Sequence, residues 1–333
     1  LLLLAALPAC SGEYDNPFEP SGRPASLPPG ADIVFAGNTQ ETQPGALHEL
    51  FAVADDGSSL TRLTSCTPLC DTLEAAPATD RERMMMRRVV DANNDDTVGA
   101  DDGAALFYAD LERRVESGVL SDARASGVDW AATGDVIVYS GAGEGAVDDL
   151  WVMDPNGQNR RNLTLSPAVR ERRPRIDPTG QVAVFERIDA TGKGQVFIFQ
   201  TTLSQIRVTA GGPGSAPLPG TPYLVGSDAD PDYSPDGRSV AFRRLAELGD
   251  GRLGYWDLMT VRIDGTGLTL IASGPQFRGA PDWGPQGIVF NEVDLAAGAS
   301  RLVVVQPDGS GRSVPVTVGS AFDLLFPRWL TPP

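Results

Sequence analysis

Self-similarity restricts this chain more than any other feature. Without a gap, Pro24–Phe35 (PASLPPGADIVF) lies on Pro231–Phe242 (PDYSPDGRSVAF), and Ala76–Met86 lies on Ala280–Phe290. The third motif position falls at Ser26, Thr79, Trp130, Ile176, Tyr233, Trp283 and Trp329, at intervals of 53, 51, 46, 57, 50 and 46 residues. A period near 50 means that one supersecondary unit recurs and that each copy buries its faces against its neighbours. Six units fit, and a seventh begins at Phe326–Trp329 without a body.

Each unit repeats one grammar. A turn with glycine (Gly134, Gly180, Gly237, Gly287) precedes a short apolar run such as Val136–Tyr139, Val182–Phe185, Val240–Phe242 or Ile288–Phe290. A variable loop follows, then a second run (Leu50–Val53, Leu106–Tyr108, Leu150–Met153, Val196–Phe199, Leu258–Val261, Leu302–Val305). Several of these runs reach an Asp/Gly turn: Asp55–Gly57, Asp154–Gly157, Asp264–Gly265, Asp308–Gly309. Thr61–Thr64 and Arg161–Thr164 close two of the units. Short β-forming runs between turn residues are strands of hairpins, and no long window has helical periodicity. The expected fold is all-β: a six-bladed β-propeller of four-stranded antiparallel blades, its ring closed by the C-terminal strand. The start near Trp329 should complete the sheet begun near Ile33–Phe35, which leaves no free edge.

These residues carry a resemblance. Asp230–Gly237 with Val240–Phe242 resembles the signature of TolB-type, WD40-like propeller repeats, and Leu258–Gly265 and Asp149–Asp154 resemble its second half. The resemblance spans about residues 24–333 and implies a fold, not an activity, since such blades serve scaffolds, peptidase propellers and lyases. The aromatics at the third position are expected to pack blade against blade.

Composition removes several functions. Acidic residues number 44 against 27 basic, a net charge of −17, so the long-range field repels nucleic acid and anionic lipid. His48 is the only histidine, which excludes HExxH and histidine-cluster metal sites and leaves a Ser-His-Asp triad one possible base. It is expected at a surface or turn just before the strand at Leu50. No GxSxG elbow is present, and Gly141–Gly145 reads as a hairpin tip. Asn162-Leu-Thr164 fits a glycosylation sequon but also a repeat strand, and Gly211–Thr221 reads as a long contact loop at a blade tip.

The ends give an address. Residues 1–10 (LLLLAALPAC) form a short apolar run, too short for the roughly 20 residues of a spanning helix. The stretch Leu7-Pro8-Ala9-Cys10 resembles the bacterial lipobox, which implies lipidation of Cys10. Residues 11–23 then form a flexible tether and 24–333 the propeller. By the same resemblance Ser11 implies an outer-membrane lipoprotein, periplasm-facing or on the cell surface, with the membrane contacted through the anchor alone. In an exported chain Cys66 and Cys70 close a small disulfide loop or remain free thiols, since a metal site would need two more ligands.

One loop suggests a cofactor. Asp91, Asn93, Asp95, Thr97 and Asp102 place oxygens at positions 1, 3, 5, 7 and 12 of a twelve-residue loop. It resembles dockerin and EF-hand calcium loops, with Asp96 in place of the usual glycine and Asp102 in place of glutamate. No basic residue lies between Arg88 and Arg113 to offset its five aspartates. The expectation is a structural calcium ion stapling a hairpin loop flanked by strands at Met84–Val90 and Ala104–Tyr108. The other reading is a solvated acidic loop. The functional expectation is a monomeric, lipid-anchored, non-enzymatic protein-interaction or scaffold module with envelope partners. The rival is a carbohydrate-active lyase or hydrolase, or a degenerate peptidase-type propeller, using acidic channel residues.

Overall fold

The computed structural model describes residues 24–38, 47–65, 69–91, 93, 95, 97–99, 102–143, 147–166, 168–199, 215–218, 227–247, 253–319 and 323–330. Six antiparallel sheets form the ring, each listed here from the inside outward. Blade one is Leu324–Trp329, Ile33–Asn38, His48–Val53 and Thr61–Arg62, so it takes its inner strand from the end of the chain. Blade two is Cys70–Pro77, Arg83–Val90, Gly103–Asp110 and Val115–Ser121; blade three is Ser126–Trp130, Ile137–Ala142, Asp148–Met153 and Arg161–Asn162. Blade four is Arg170–Ile176, Ala183–Ile188, Gly194–Phe199 and Ser215–Pro217; blade five is Asp228–Tyr233, Ser239–Glu247, Leu253–Arg262 and Thr269–Ala272. In blade six the inner strand is split into Phe277–Arg278 and Asp282–Gly284, followed by Gly287–Asp294, Ala299–Val305 and Ser313–Gly319.

The core lies in the seams between blades. Phe35, Phe51, Val289, Leu302 and Trp329 fill the seam of blades six and one, and Met85, Leu106, Trp130, Ile137 and Tyr139 fill that of blades two and three. The third-position aromatics Trp130, Tyr233 and Trp329 are each 6% exposed, which fits packing residues rather than a ligand platform. Closure is as expected: Ile33 pairs with Trp329 and Val34 with Arg328.

Two positions in the repeat differ from the sequence reading. Thr79 is not the counterpart of Trp283. In blade six Trp283 pairs with Ile288, whereas in blade two Pro77 pairs with Met84 across a turn two residues longer. Pro77 therefore occupies the structural place, and the ungapped alignment was right only for the second strand. Ser26 is not in a strand at all, because Trp329 takes that place in blade one.

Outer edges are covered from the side. The Asp55–Gly57 turn of blade one packs on the outer strand of blade six, where a Cβ on Gly57 would lie 2.4 Å from the Pro315 carbonyl oxygen. Gly57 also has φ +84°, so an L side chain there meets both strain and a clash. Thr64 and Thr164 repeat one more device, each Oγ1 accepting from the backbone N–H of Leu50 or Leu150, at 2.9 and 3.0 Å. That contact explains the closing Arg-Leu-Thr and Asn-Leu-Thr stretches.

Candidate functional site

The inner strands shape the central channel through one shared irregularity. Each of the six carries an extra residue relative to its neighbour, a β-bulge, as between Thr72 and Glu74, Ser126 and Asp129, or Arg172 and Arg175. Proline follows the bulge in four blades (Pro174, Pro231, Pro281, Pro327). Arg173, Asp230 and Phe326 stand there at φ +51°, +48° and +48°, a left-handed conformation that costs an ordinary residue about 1–3 kcal/mol. The bulge turns these side chains across the channel. Arg173 Nη1 reaches Glu74 of blade two, its Nε lies 3.3 Å from Asp230 of blade five, and its guanidinium sits 4.4 Å over the Phe326 ring. Asp230 in turn pairs with Arg243. Gly127 completes this layer, since any Cβ there would lie 2.9 Å from the Arg173 backbone.

This layer is charged and dry. Burial pushes the Glu74 carboxyl upward, but the Arg173 and Arg87 charges outweigh it and hold it below the ordinary range. Burial and the Asp230 charge push Glu186 up to about 7, against Arg173 and Arg243. The channel is crossed at mid-depth by a charged plug, leaving a cup at the end where the inner-strand turns lie.

That cup is the candidate site. It has a volume of about 220 Å³, a rim of Thr79, Ala132, Pro178, Pro235 and Pro285, and a floor of Asp129, Asp232, Asp282 and Arg328. The floor residues hold the same place in their blades, one residue before the aromatic marker. Where that place is aspartate, the carboxylate accepts from the next blade: Asp129 from Ile176 N–H at 2.8 Å, Asp232 from Trp283 N–H at 2.6 Å, and Asp282 from Trp329 N–H at 2.7 Å. Where it is arginine, the guanidinium neutralises those acids. Arg328 pairs with Asp129 and, at 2.7 Å, with Asp282, while Arg175 Nε lies 3.6 Å from Asp232. Burial and the Asp282 charge raise the Asp232 carboxyl well above its usual range, against Arg328 and Arg175. Buried donors without an acceptor, Trp130 Nε1 and Arg328 Nη1, also face this region.

His48 is not in the cup. It lies near the opposite end, buried at 9% exposure within a strand rather than at a surface or turn. Its Nδ1 is 2.8 Å from Asp71 of blade two and its Nε2 is 3.2 Å from Asp323, just before the closing strand. Burial lowers the pKa of His48, but hydrogen bonds to Asp323 and Asp71 and their charges raise it further, to about 9. The imidazolium thus latches the closing strand to blade two, and at neutral pH it has no free lone pair to act as a base. Because the folded value lies above the unfolded 6.5, its contribution is complete below pH 6.5 and lost as pH rises through 9. His48→Gln is expected to cost about 2 kcal/mol at pH 6, after discount for partial solvent contact, and almost nothing at pH 10. Urea unfolding of both proteins across this range checks it, and a pH-independent difference would remove the latch.

The other sequence-derived candidates fall as follows. Asp91 and Asp102 are buried, at 3% and 7% exposure. The Asp95 N–H donates to Asp91 (3.2 Å) and Asn93 (3.0 Å), and Asp95 accepts from the N–H and hydroxyl of Thr97 (2.9 and 2.6 Å). The loop is thus wound on its own side chains, as the spacing implies. No group of three or more His, Cys, Asp or Glu side chains is gathered among the described residues, and Asp96 and Asp101 of this loop lie outside them. The flanking strands are Arg83–Val90 and Gly103–Asp110, close to expectation. Cys70 is disulfide-bonded, while Cys66 and Cys10 lie outside the described residues. Asn162 is structural: its amide donates to Asp149 at 2.7 Å and its Oδ1 accepts from Thr164 and Leu165. Gly211–Thr221 is not simply a loop, because Ser215–Pro217 pairs with Phe197–Phe199 as the outer strand of blade four. Sequence reasoning missed Arg173, Arg175 and Arg328. The periodic signal was present, an Asp or Arg directly before the marker at 129, 175, 232, 282 and 328.

No family model matches the chain, and no curated protein does. Among solved structures it is similar to TolB from Acinetobacter baumannii, with TM-score 0.66 and 16% identity over 90% of this chain and 66% of that one. A putative TolB from Agrobacterium tumefaciens gives TM-score 0.61 and 13% identity over 90% of this chain and 99% of the other. An oligogalacturonate lyase in complex with manganese gives TM-score 0.52 and 12% identity over 88% and 75%. At these identities the likeness is one of fold: the chain is a six-bladed β-propeller similar in fold to the TolB structures and to the lyase. It spans slightly under two thirds of the Acinetobacter protein.

Proposed function

We propose that this protein is a non-enzymatic protein-interaction propeller of the bacterial envelope, anchored by lipid on Cys10, with the acidic cup as its principal contact. The observation that carries this reading is the state of the floor. Each floor carboxylate (Asp129, Asp232, Asp282) is already tied to the next blade's backbone, Asp177 is tied to its own turn, and the channel is closed beneath them by the Arg173 layer. Such groups hold a ring together and present a shaped, negative surface; they are not poised as an acid and base pair. The alternative, a lyase or hydrolase using channel acids, lacks a base there, since His48 is committed to two carboxylates elsewhere. Four carboxylates (Asp129, Asp177, Asp232, Asp282) against Arg328 and Arg175 suit a basic segment of a partner.

The test is a photo-crosslinking residue placed at Pro235 or Pro285 in living cells. A discrete adduct is expected there and none from Thr269 on the outer wall, while Cys10→Ser moves the protein into the soluble periplasmic fraction. Equal labelling from rim and wall would overturn the cup as the contact.

A structural calcium ion in the Asp91–Asp102 loop belongs to the same proposal. Its support is the self-wound loop and the two buried carboxylates at its ends. Calcium is expected to stabilise the fold by about 2.7 kcal/mol at a hundredfold excess over Kd. Asp91→Ala and Asp95→Ala each abolish the gain, Asp56→Ala does not, and magnesium substitutes poorly because it requires near-ideal octahedral geometry. A melting curve unmoved by chelator, with no heat of binding, would return the loop to a solvated acidic excursion.

A further inference from the structure

We propose that the seam between blades five and six holds a small oxyanion, a carboxylate or phosphate group, on Arg301 and Arg312. The starting point is a charge reversal. Blades four and five each pair an inner-strand acid with a second-strand arginine, Glu171 with Arg187 and Asp228 with Arg244. Blade six inverts the pair: Arg278 stands on the inner strand opposite Glu292 on the second. An acid on the second strand draws in further cations from outside it. Glu292 is 2.8 Å from Arg312, 3.5 Å from Arg278 and 3.6 Å from Arg301.

One carboxylate therefore faces three guanidiniums, and only Arg312 reaches charge-assisted hydrogen-bond length. Arg301 is shared between Glu292 and Asp294, 3.5 Å away, so neither carboxylate engages both prongs of its guanidinium at charge-assisted hydrogen-bond length. Arg278 is a fixed part of the wall. Its side chain is 3% exposed, its Nη2 donates to the Ser273 carbonyl at 2.7 Å, and its Nε has no acceptor. These residues line a cavity of about 380 Å³, with three arginines against Glu292 and Asp294. In a chain of net charge −17, a concave wall lined by three guanidiniums, two of them on Arg301 and Arg312 at its outer side, selects an anion. The cavity is remote from the cup: it lies toward the Asp294 end of the second strand, whereas the cup borders the Gly284–Gly287 turn. This site does not depend on the cup's role.

The test is calorimetric titration of the full chain with inorganic phosphate and, separately, with D-glucuronate, at constant ionic strength set by chloride. Saturable binding of either anion is expected, and the one that binds identifies the source of the oxyanion. Arg301→Gln and Arg312→Gln should each weaken it by about tenfold or more, as loss of a charge-assisted bond implies. Arg172→Gln, at the Asp148 pair in blades three and four, should not. Arg312 is 43% exposed, so its replacement leaves a folded protein whose unchanged melting in chloride verifies the comparison. No heat with either anion, or affinity unaltered in both variants, overturns the site.

Discussion

A chain shortened by removal of Phe326–Pro333 should not close into a ring. The deletion takes away Trp329 and Leu330, 6% and 1% exposed, and the stretch that pairs with Ile33 and Val34. Loss of one buried tryptophan alone costs about 3–5 kcal/mol. The deletion also bares Ile33, Val34 and Phe35, which are now essentially inaccessible to solvent. It removes Arg328 from the cup floor as well. Together these exceed the roughly 5–15 kcal/mol by which a domain is stable. Circular dichroism and urea titration should find no cooperative transition. An unchanged midpoint would show that the ring draws its stability elsewhere.

Replacing Arg328 by methionine tests the floor of the cup without touching the strand. Asp129 and Asp282 lose their cation while their surroundings stay dry. Breaking a buried pair from one side costs about 3–5 kcal/mol, or a fall in Tm of roughly 10 °C for a domain of this size. The pH dependence has a fixed sign. Burial already raises Asp282, and burial with the Asp282 charge raises Asp232, above the unfolded 3.8; Arg328 holds both down. Its removal raises them further. A carboxyl raised in the folded state stabilises below 3.8 and loses that contribution as pH rises through its folded value. The deficit of Arg328→Met should therefore be small near pH 4 and grow toward neutrality. Arg328→Lys should recover part of the loss, since a point charge replaces the two-pronged contact. A deficit constant with pH would mean that packing, not charge, carries the effect.

The ring was legible in the sequence because its determinants are local and periodic. Strand runs recur within every unit, Gly turns and the aromatic before the turn recur in most, and the lone unit start at Trp329 announced closure. Errors came where spacing varies, as at Thr79, where a turn differs by two residues, and at Ser215–Pro217, where a three-residue strand hides among glycines and prolines. The site was far less legible. Arg328 meets Asp129 across 199 residues and Arg173 meets Glu74 across 99, contacts made only because the ring brings inner strands together. Asp129, Asp232 and Asp282 looked like part of an acid-rich background until their shared place in the blade was seen. His48 was read from its neighbours in sequence, yet its partners lie 23 and 275 residues away.

The composition of blade one also sets an order of events. Asp323 N–H donates to Asn38 across 285 residues, and the innermost strand of blade one follows blades two to six in the sequence. Contacts of such separation form slowly, because loop-closure entropy precedes any reward. Blades two to six can stack as they emerge, but the ring stays open, with two apolar faces bare, until Trp329 arrives. A nascent chain of this design therefore holds five finished blades and one unfinished one until that strand emerges, a stage in which the ring can still open at a single seam.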